Sequence, residues 1–409
     1  MQGFQEYLVE DRNTHLEHLE DEIINNGTRG AKTSIEFLKS IKNMLQGGKG
    51  GSTVSVKWDG APAVFCGINP ENGKFFVGTK SIFNKTPKIN YTNSDIRRNH
   101  AGALVDKLEV CLKYLKKLNI RGVVQGDLLF TPKEIKSASI RGEKHIAFRP
   151  NTITYAVPED SDLAKRILKA KLGIIFHTTY SGRTIDKLKA GFGVSVNSYA
   201  KTSDVFFDNA SYRDTSGVAT FTQGENNTFT GILRMAIGSI KKGKRILNLL
   251  RRQTNLLSVG ARLKIFFNDY IKKGQSYPST KQINNAFRKY YASVLDDEVS
   301  KRKTPAAKKR YETIRDEGLK FIDKYDDEIY FAIASYLSLT RAKNFLVAKM
   351  NQVKSIGTFI QTDKGWRVTN PEGFVAVDTM GNAVKLVDRL EFSTANFTLA
   401  KNWIKGWQQ

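Results

Sequence analysis

Cysteine and histidine are scarce in this 409-residue chain, which carries two Cys (Cys66 and Cys111) and five His. Two thiols cannot build a disulfide framework or a Cys-rich zinc site, and five imidazoles leave few ligands for a His-rich one. Long apolar runs are also missing: the longest, residues 329–339, is too short to span a bilayer. The amino terminus, MQGFQEYLVEDR, lacks the basic-then-apolar order of a signal peptide. These absences argue against structural zinc, a secreted scaffold and a membrane partner, and they make a reducing cytoplasm the expected compartment (the host cytoplasm if the chain is viral). Acidic residues are the minority, 40 Asp and Glu against 65 Lys and Arg, for a net charge of +25. That surplus exceeds what solubility requires and points to a polyanionic partner.

Hydrophobic residues make up 40% of the chain, enough to bury sizeable cores, and its length predicts two or three structural units. Residues 13–26 place Leu16, Leu19 and Ile23 on one helical face, with His15, His18, Glu20, Asp21 and Glu22 read as solvated, and the helix is expected to close at Gly27. A second helix is expected over 34–45. The glycine-rich loop after it, QGGKGGS, fails as a phosphate-cradling P-loop because Gly50, not Ser or Thr, follows Lys49. Short strands are then predicted at 54–58, 63–68, 74–78, 123–130, 152–157 and 172–178, with Asn72-Gly73 as a tight hairpin turn and helices at 102–118 and 161–171.

Between positions 225 and 355 there are 27 Lys and Arg against 12 Asp and Glu, so this block alone supplies +15 of the +25. Its apolar residues recur at helical spacing, and Thr304-Pro305 reads as an N-cap with Pro at the first helical position. Strand character returns at 366–369, 374–377 and 383–387, with Met380-Gly381-Asn382 as a turn. The expected organisation is an α+β domain of mostly antiparallel sheet built from 1–224 and 356–409, with a basic all-α subdomain, 225–355, inserted before the last strands. That imbalance costs self-repulsion unless a phosphate chain relieves it. Lys241, Lys242, Lys244, Arg245, Arg251, Arg252, Lys308, Lys309 and Arg310 are the candidate phosphate contacts, positioning a strand without reading its sequence. The chain is taken as a monomer.

The chemistry centres on Lys57-Trp58-Asp59-Gly60, where a lysine ends an apolar strand and an acid and glycine open the next turn. Residues two apart on a strand face the same side, so Lys57 and Asp59 can address one pocket. Further polar residues punctuate apolar strands: Asp127 after Val123-Val124-Gln125-Gly126, Glu372 in Asn370-Pro371-Glu372-Gly373-Phe374-Val375, and Lys385 in Ala383-Val384-Lys385-Leu386-Val387. Taken singly, Asp127 reads as a turn acid, Glu372 as a hairpin residue and His177 as a buried histidine ending an apolar strand.

The ordered set resembles the lysine nucleotidyltransferase superfamily, the ATP-dependent RNA and DNA ligases and mRNA capping enzymes. The likeness covers about residues 53–178 and 366–390, and its compact form looks like a bacteriophage-type polynucleotide ligase. The resemblance implies a ligase-type nucleotidyltransferase fold and, as function, joining of 3′-OH and 5′-phosphate ends through a lysyl-AMP, with RNA favoured over DNA and nicks or free ends as substrates. It implies ATP and Mg²⁺ (or Mn²⁺) as cofactors. It assigns Lys57 as the nucleophile, Asp59 and Gly60 to the nucleotide pocket, Lys80 to a phosphate contact, Asp127 and Glu372 to the metal, Tyr155 to stacking on adenine (with Phe148 the alternative) and Lys385 to the α-phosphate. Pro62 stands where some ligases have arginine, Val387 where they have a second lysine, and Asp127 where they have glutamate. A free lysine is neutral in only about one molecule in 2,500 at neutral pH, so such chemistry needs a site that removes its proton. A capping-type guanylyltransferase and a non-enzymatic nucleic-acid-binding protein on a degenerate ligase scaffold are the alternatives.

Overall fold

The computed structural model describes residues 16–46, 52–140, 142–212, 219–253, 255–353, 357–362, 365–368, 372–380 and 382–390. Its contacts divide the chain into a sheet-rich unit, Thr53–Ser216 with Val353–Ala383, and a helical unit, Leu16–Ser52 with Gly217–Gln352 and Val384–Gln409. The protein is mixed α+β with mostly antiparallel open sheets. This partition differs from the one expected from composition: among the described residues, 16–46 and 384–390 join the helical block.

In the sheet-rich unit one sheet runs β10 (Val205–Asn209), β8 (Leu172–Ser181), β4 (Val123–Phe130), β2 (Ala63–Ile68), β3 (Phe75–Gly78), with β9 (Lys189–Phe192) pairing on β8. All its pairs are antiparallel except β10 with β8. The β2–β3 hairpin turns where Asn72-Gly73 predicts it, with Gly73 at φ +68°. Alternation along the strands makes two cores. Val64 and Cys66 of β2, Val124 and Leu128 of β4 and Ile174 and Phe176 of β8 pack on Leu108, Cys111 and Leu115 of the helix Ala103–Leu115. Phe65, Phe76 and Val123 form the other core with Ile82 and Ile185. Both cysteines are free and buried, and burial pushes their thiols up, Cys111 to about 12, so neither is a nucleophile near neutral pH.

A second, antiparallel sheet runs β12 (Gly365–Val368), β11 (Gly357–Thr362), β7 (Thr154–Pro158), β6 (Glu143–Phe148), β5 (Lys136–Ile140). The two sheets meet through rings: Phe130 lies 4.8 Å from Phe148. β1 (Ser52–Lys57) is tied to the chain beyond β10, where Val56 N–H donates to Ala210 and Tyr212 N–H to Val54, and the Ser55 hydroxyl reaches the carbonyl of Val375 in β13 (Gly373–Asp378). β14 (Ala383–Leu386) begins at the unit boundary. Asn370, Pro371 and Gly381, like His15 and the glycines of the loop after residue 46, lie outside the described residues.

The helical unit comprises the helices Glu22–Leu45, Gln223–Lys242, Lys244–Leu250, Val259–Lys272, Thr280–Ser300, Pro305–Lys324 and Asp326–Met350. Side chains of Thr222, Ser258, Ser279 and Thr304 cap the starts of four of them, and Pro305 follows Thr304 as its sequence predicts. The first helix does not close at Gly27. That residue leaves helical geometry (φ +58°) and makes a kink, and the helix continues to Leu45.

The acidic outer face expected for this helix is also corrected. Glu20 and Asp21 are buried, Glu20 against Lys343 at 2.7 Å and Asp21 against Arg389 at 3.2 Å and the Tyr336 hydroxyl at 3.0 Å. His18 is enclosed with them, its imidazole held well below its usual value first by burial and then by Arg389, Lys343, Lys385 and Lys264. Among the described residues, no helix is long and apolar enough to cross a membrane.

Candidate active site

β1 delivers Lys57 at its last position, and the chain then turns through Trp58, Asp59 and Gly60 before β2. The turn presses onto β4. A Cβ on Gly60 would lie 2.5 Å from the Cβ of Asp127 and 3.0 Å from the carbonyl of Leu128, so no larger residue fits without displacing backbone. Ala61 N–H donates to Leu128 at 2.9 Å and Leu128 N–H returns a bond to Pro62 at 3.1 Å, which locks the turn to the strand that carries Asp127.

Lys57 makes a direct ion contact with Glu372, with 28% and 18% of the two side chains exposed, so the pair is sheltered but reachable from solvent. Burial pushes the Glu372 carboxyl above the usual carboxylate range. Lys57 opposes the rise, and the negative charges of Asp59 and Asp127 add to it. Glu372 is thus the acid in contact with Lys57, and Asp59 and Asp127 stand close enough for their charge to act on it.

Asp59 does not face a pocket. Its carboxylate accepts hydrogen bonds from Asn151 Nδ2 at 2.7 Å and from the backbone N–H groups of Thr152 at 2.6 Å and Ile153 at 2.7 Å, and it is 4% exposed. Desolvation nevertheless raises its carboxyl above the ordinary value, because these bonds and Lys57 only partly offset burial. Its role is to clamp the segment leading into β7.

Tyr155 corrects the sequence reading too. The ring is 1% exposed, stacked on Phe148 at 5.6 Å with Trp58 tilted against it at 5.1 Å, and its hydroxyl accepts from Asp59 N–H at 2.8 Å. Neither Tyr155 nor the fully buried Phe148 offers a free face to a base. The half-buried ring in this stack is Trp58.

Lys80 stands exposed at the first residue of a single turn, Lys80–Phe83, beyond β3. Lys385 belongs to the helical unit, where its N–H donates to Glu17 at 2.9 Å and its backbone pairs with His18. Lys241, Lys242, Lys244, Arg245, Arg251, Arg252, Lys308, Lys309 and Arg310 are all exposed. The Lys242 ammonium and the Arg245 guanidinium lie over the rings of Phe331 and Tyr325, and Arg245 also pairs with Glu328 at 3.8 Å, so both cations have protein partners as well as solvent.

Two residues beside the cluster were not read as part of it: His177, taken for a buried histidine but only half-buried, and Lys107. His177 Nε2 lies 3.6 Å from Asp127 Oδ1, and its Nδ1 contacts the Thr178 hydroxyl at 2.8 Å. β8 pairs with β4 so that Ile175 faces Asp127, and a register shift at His177 brings its ring to the same acid, a long-range pairing that no local pattern announces. Lys107, from the helix Ala103–Leu115, reaches the carbonyl of Ala61 at 3.3 Å and Glu134 at 2.7 Å. It had no signal, since a lysine on an amphipathic helix reads as solvated.

Among the described residues, no three His, Cys, Asp or Glu side chains stand close enough to hold a metal outright. Glu372 and Asp127 suit a cation that keeps most of its ligands as water, the habit of Mg²⁺, and their mutual repulsion is what such a cation would relieve.

No curated protein and no solved structure matches the chain. A family of unknown function, DUF6267, matches residues 13–401, nearly the whole of the sequence. The chain belongs to this family.

Proposed function

We propose that the sheet-rich unit is an ATP-dependent lysyl nucleotidyltransferase that joins polynucleotide ends, RNA in preference to DNA. The observation that carries this reading is the Lys57–Glu372 contact, held at the rim of a sheet with Asp127 and Asp59 close enough to raise the Glu372 carboxyl. A lysine at a strand end with one acid in contact has a route to neutrality: the ammonium proton passes to Glu372, whose burial makes it a stronger base than an exposed carboxylate.

The neutral amine of Lys57 then attacks the α-phosphorus of ATP. A P–N bond forms, the bond to the β-phosphate oxygen breaks, and pyrophosphate leaves. A 5′-phosphate oxygen next displaces Lys57 from the adenylyl phosphorus. Finally a 3′-hydroxyl oxygen attacks the activated 5′-phosphorus and gives its proton to solvent; a P–O bond forms, the bond to the adenylate oxygen breaks, and AMP leaves. Asp127 would hold hydrated Mg²⁺, which would neutralise charge developing on the phosphoryl oxygens while Glu372 carries the proton. Asp59 positions the turn that carries Lys57, and Trp58 supplies the aromatic surface for the base. The exposed lysines and arginines of the helical unit would supply the polyanion contact.

Incubation of the protein with α-³²P-ATP and Mg²⁺, followed by denaturing electrophoresis, is expected to give an acid-labile, alkali-stable labelled band. Lys57→Ala should abolish it. Glu372→Gln should lower it at least 100-fold, the scale of a lost general base. A wild-type protein that takes no label from ATP overturns the reading, and label from GTP alone transfers it to a capping-type guanylyltransferase. Tight, salt-sensitive nucleic-acid binding without any adduct would leave a binding protein on a ligase-like scaffold.

A further inference from the structure

The helical unit contains a cleft of about 830 Å³, a size that suits a small organic ligand. Its walls come from the helices Gln223–Lys242 and Asp326–Met350 and the segment before Thr280. Phe331 and Tyr277 provide aromatic surface on it, and Lys242 and Arg341, both exposed, stand on its lining. Lys242 lies 4.9 Å from the centre of the Phe331 ring, which brings a cation and an aromatic face to one place.

The floor is polar and incompletely satisfied. Glu20 and Arg389 line it, with 1% and 9% of their side chains exposed, and despite their mutual contact Oε2 of Glu20 and Nε of Arg389 have no hydrogen-bond partner. Asn344, on the same lining, has an unpartnered carboxamide oxygen. Buried polar groups are nearly always paired, so three orphans at one cleft mark a place where partners are missing. Glu20 Oε2 and Asn344 Oδ1 accept, which calls for N–H or O–H groups on the occupant. Lys242 and Arg341 call for an anion, and Phe331 for a flat apolar body.

We infer that this cleft is a nucleotide-binding site, taking a heterocyclic base against Phe331 and its phosphate between Lys242 and Arg341. The site is separate from the Lys57 cluster and does not depend on adenylyl transfer. One chemistry, base plus phosphate, describes both a free nucleoside monophosphate and the terminal nucleotide of a strand, so the test distinguishes them.

The probe is 2-aminopurine, whose emission falls when the base stacks on an aromatic ring. It is offered to the full-length protein carrying Lys57→Ala, as the free ribonucleoside 5′-monophosphate and as the 5′-phosphorylated terminal residue of a ten-nucleotide RNA. Saturable quenching of either probe is expected, about tenfold weaker in Arg341→Ala, with Arg341→Lys recovering most of the loss. Phe331→Leu should remove the quenching while Lys242 and Arg341 still hold the phosphate. Arg341 is exposed, so its replacement leaves the fold intact, and thermal unfolding of each variant checks this. Quenching by the oligonucleotide alone assigns the site to strand ends; quenching by the mononucleotide at equal affinity assigns it to free nucleotide. No quenching with either probe, or quenching unchanged by Arg341→Ala and Phe331→Leu, overturns the inference. Loss of ATP labelling at Lys57 would leave it untouched.

Discussion

Replacing Lys343 by methionine is the sharpest stability test, because the charge it removes has no route to water. Lys343 is fully buried and lies 2.7 Å from Glu20, itself 1% exposed; the other cation near this acid is Arg389, at 3.8 Å. Arg389 is already engaged with Asp21 at 3.2 Å and with the Tyr336 hydroxyl at 2.9 Å. Without Lys343, two buried carboxylates share one guanidinium. Breaking a buried pair in this way costs about 3–5 kcal/mol, a large part of the roughly 5–15 kcal/mol that holds a domain together. For a unit of this size about 2–4 °C of melting temperature follows each kcal/mol, so Lys343→Met should lower the transition of the helical unit by roughly 6–20 °C. Calorimetry and urea unfolding of the full chain measure this. The double variant Glu20→Gln/Lys343→Met removes both charges and should recover most of the loss, because the penalty lies in the charge left unpaired. A single-variant loss below about 1 kcal/mol, or a double variant as unstable as the two singles added, would refute the account of this cluster.

Three further outcomes follow from particular side chains. Gly60→Ala forces its new Cβ against Asp127, and overpacking of this kind costs about 1–3 kcal/mol; adduct formation at Lys57 should fall with it, and an unaltered labelling rate would show that the turn moves freely. Because the folded state holds His18 neutral, the unfolded chain takes up a proton that the folded one refuses: stability is fully present above pH 6.5 and declines below it, by up to about 1.4 kcal/mol per pH unit. Urea unfolding at pH 7.5, 6.0 and 5.5 reads that slope, and His18→Gln should flatten it; equal slopes in both proteins would exclude His18 as its source. Alanine at Lys241, Lys242, Lys244 and Arg245 should reduce the salt dependence of single-stranded RNA binding by about 0.7 in log–log slope for each phosphate no longer neutralised, and an unchanged slope would move the strand elsewhere.

Local patterns were legible wherever one side chain decides the outcome. Asn72-Gly73 accepts the positive φ of a hairpin, Thr304-Pro305 starts a helix, and the apolar run 123–130 becomes β4 with the bounds its residues suggest. Pairings across hundreds of residues were not legible. An acid on an amphipathic helix reads as solvated, and nothing near Glu20 or Asp21 announces that Lys343 and Arg389 will enclose them. Tyr155 failed for the same reason: an aromatic at a strand centre is equally a stacking platform or a core residue, and only the approach of Trp58 and Phe148 decides. The assignment of residues 16–46 to the helical unit likewise depends on long-range packing that no local periodicity carries.

Asp59 sharpens what the lysine motif does here. An acid two residues beyond a strand-end lysine faces the same side, which suggests that both act on a ligand. Its three hydrogen bonds to residues 151–153, with its own N–H on the Tyr155 hydroxyl, spend it on holding two strands together. Lys57 is therefore fixed by backbone on both flanks, by β1 before it and by the clamped turn after it, while its amine stays partly exposed beside Glu372. A site that exchanges one acid for rigidity must draw its proton acceptor from elsewhere in the chain. In the proposed reaction Glu372 would meet that need: it touches the amine, and burial and the neighbouring acids raise its proton affinity. If this division of labour holds, Asp59→Asn, which keeps an oxygen acceptor but discards the charge, should cost mainly stability. Glu372→Gln should instead cost the labelling rate with the fold intact, and identical losses of both quantities in the two variants would refute the division.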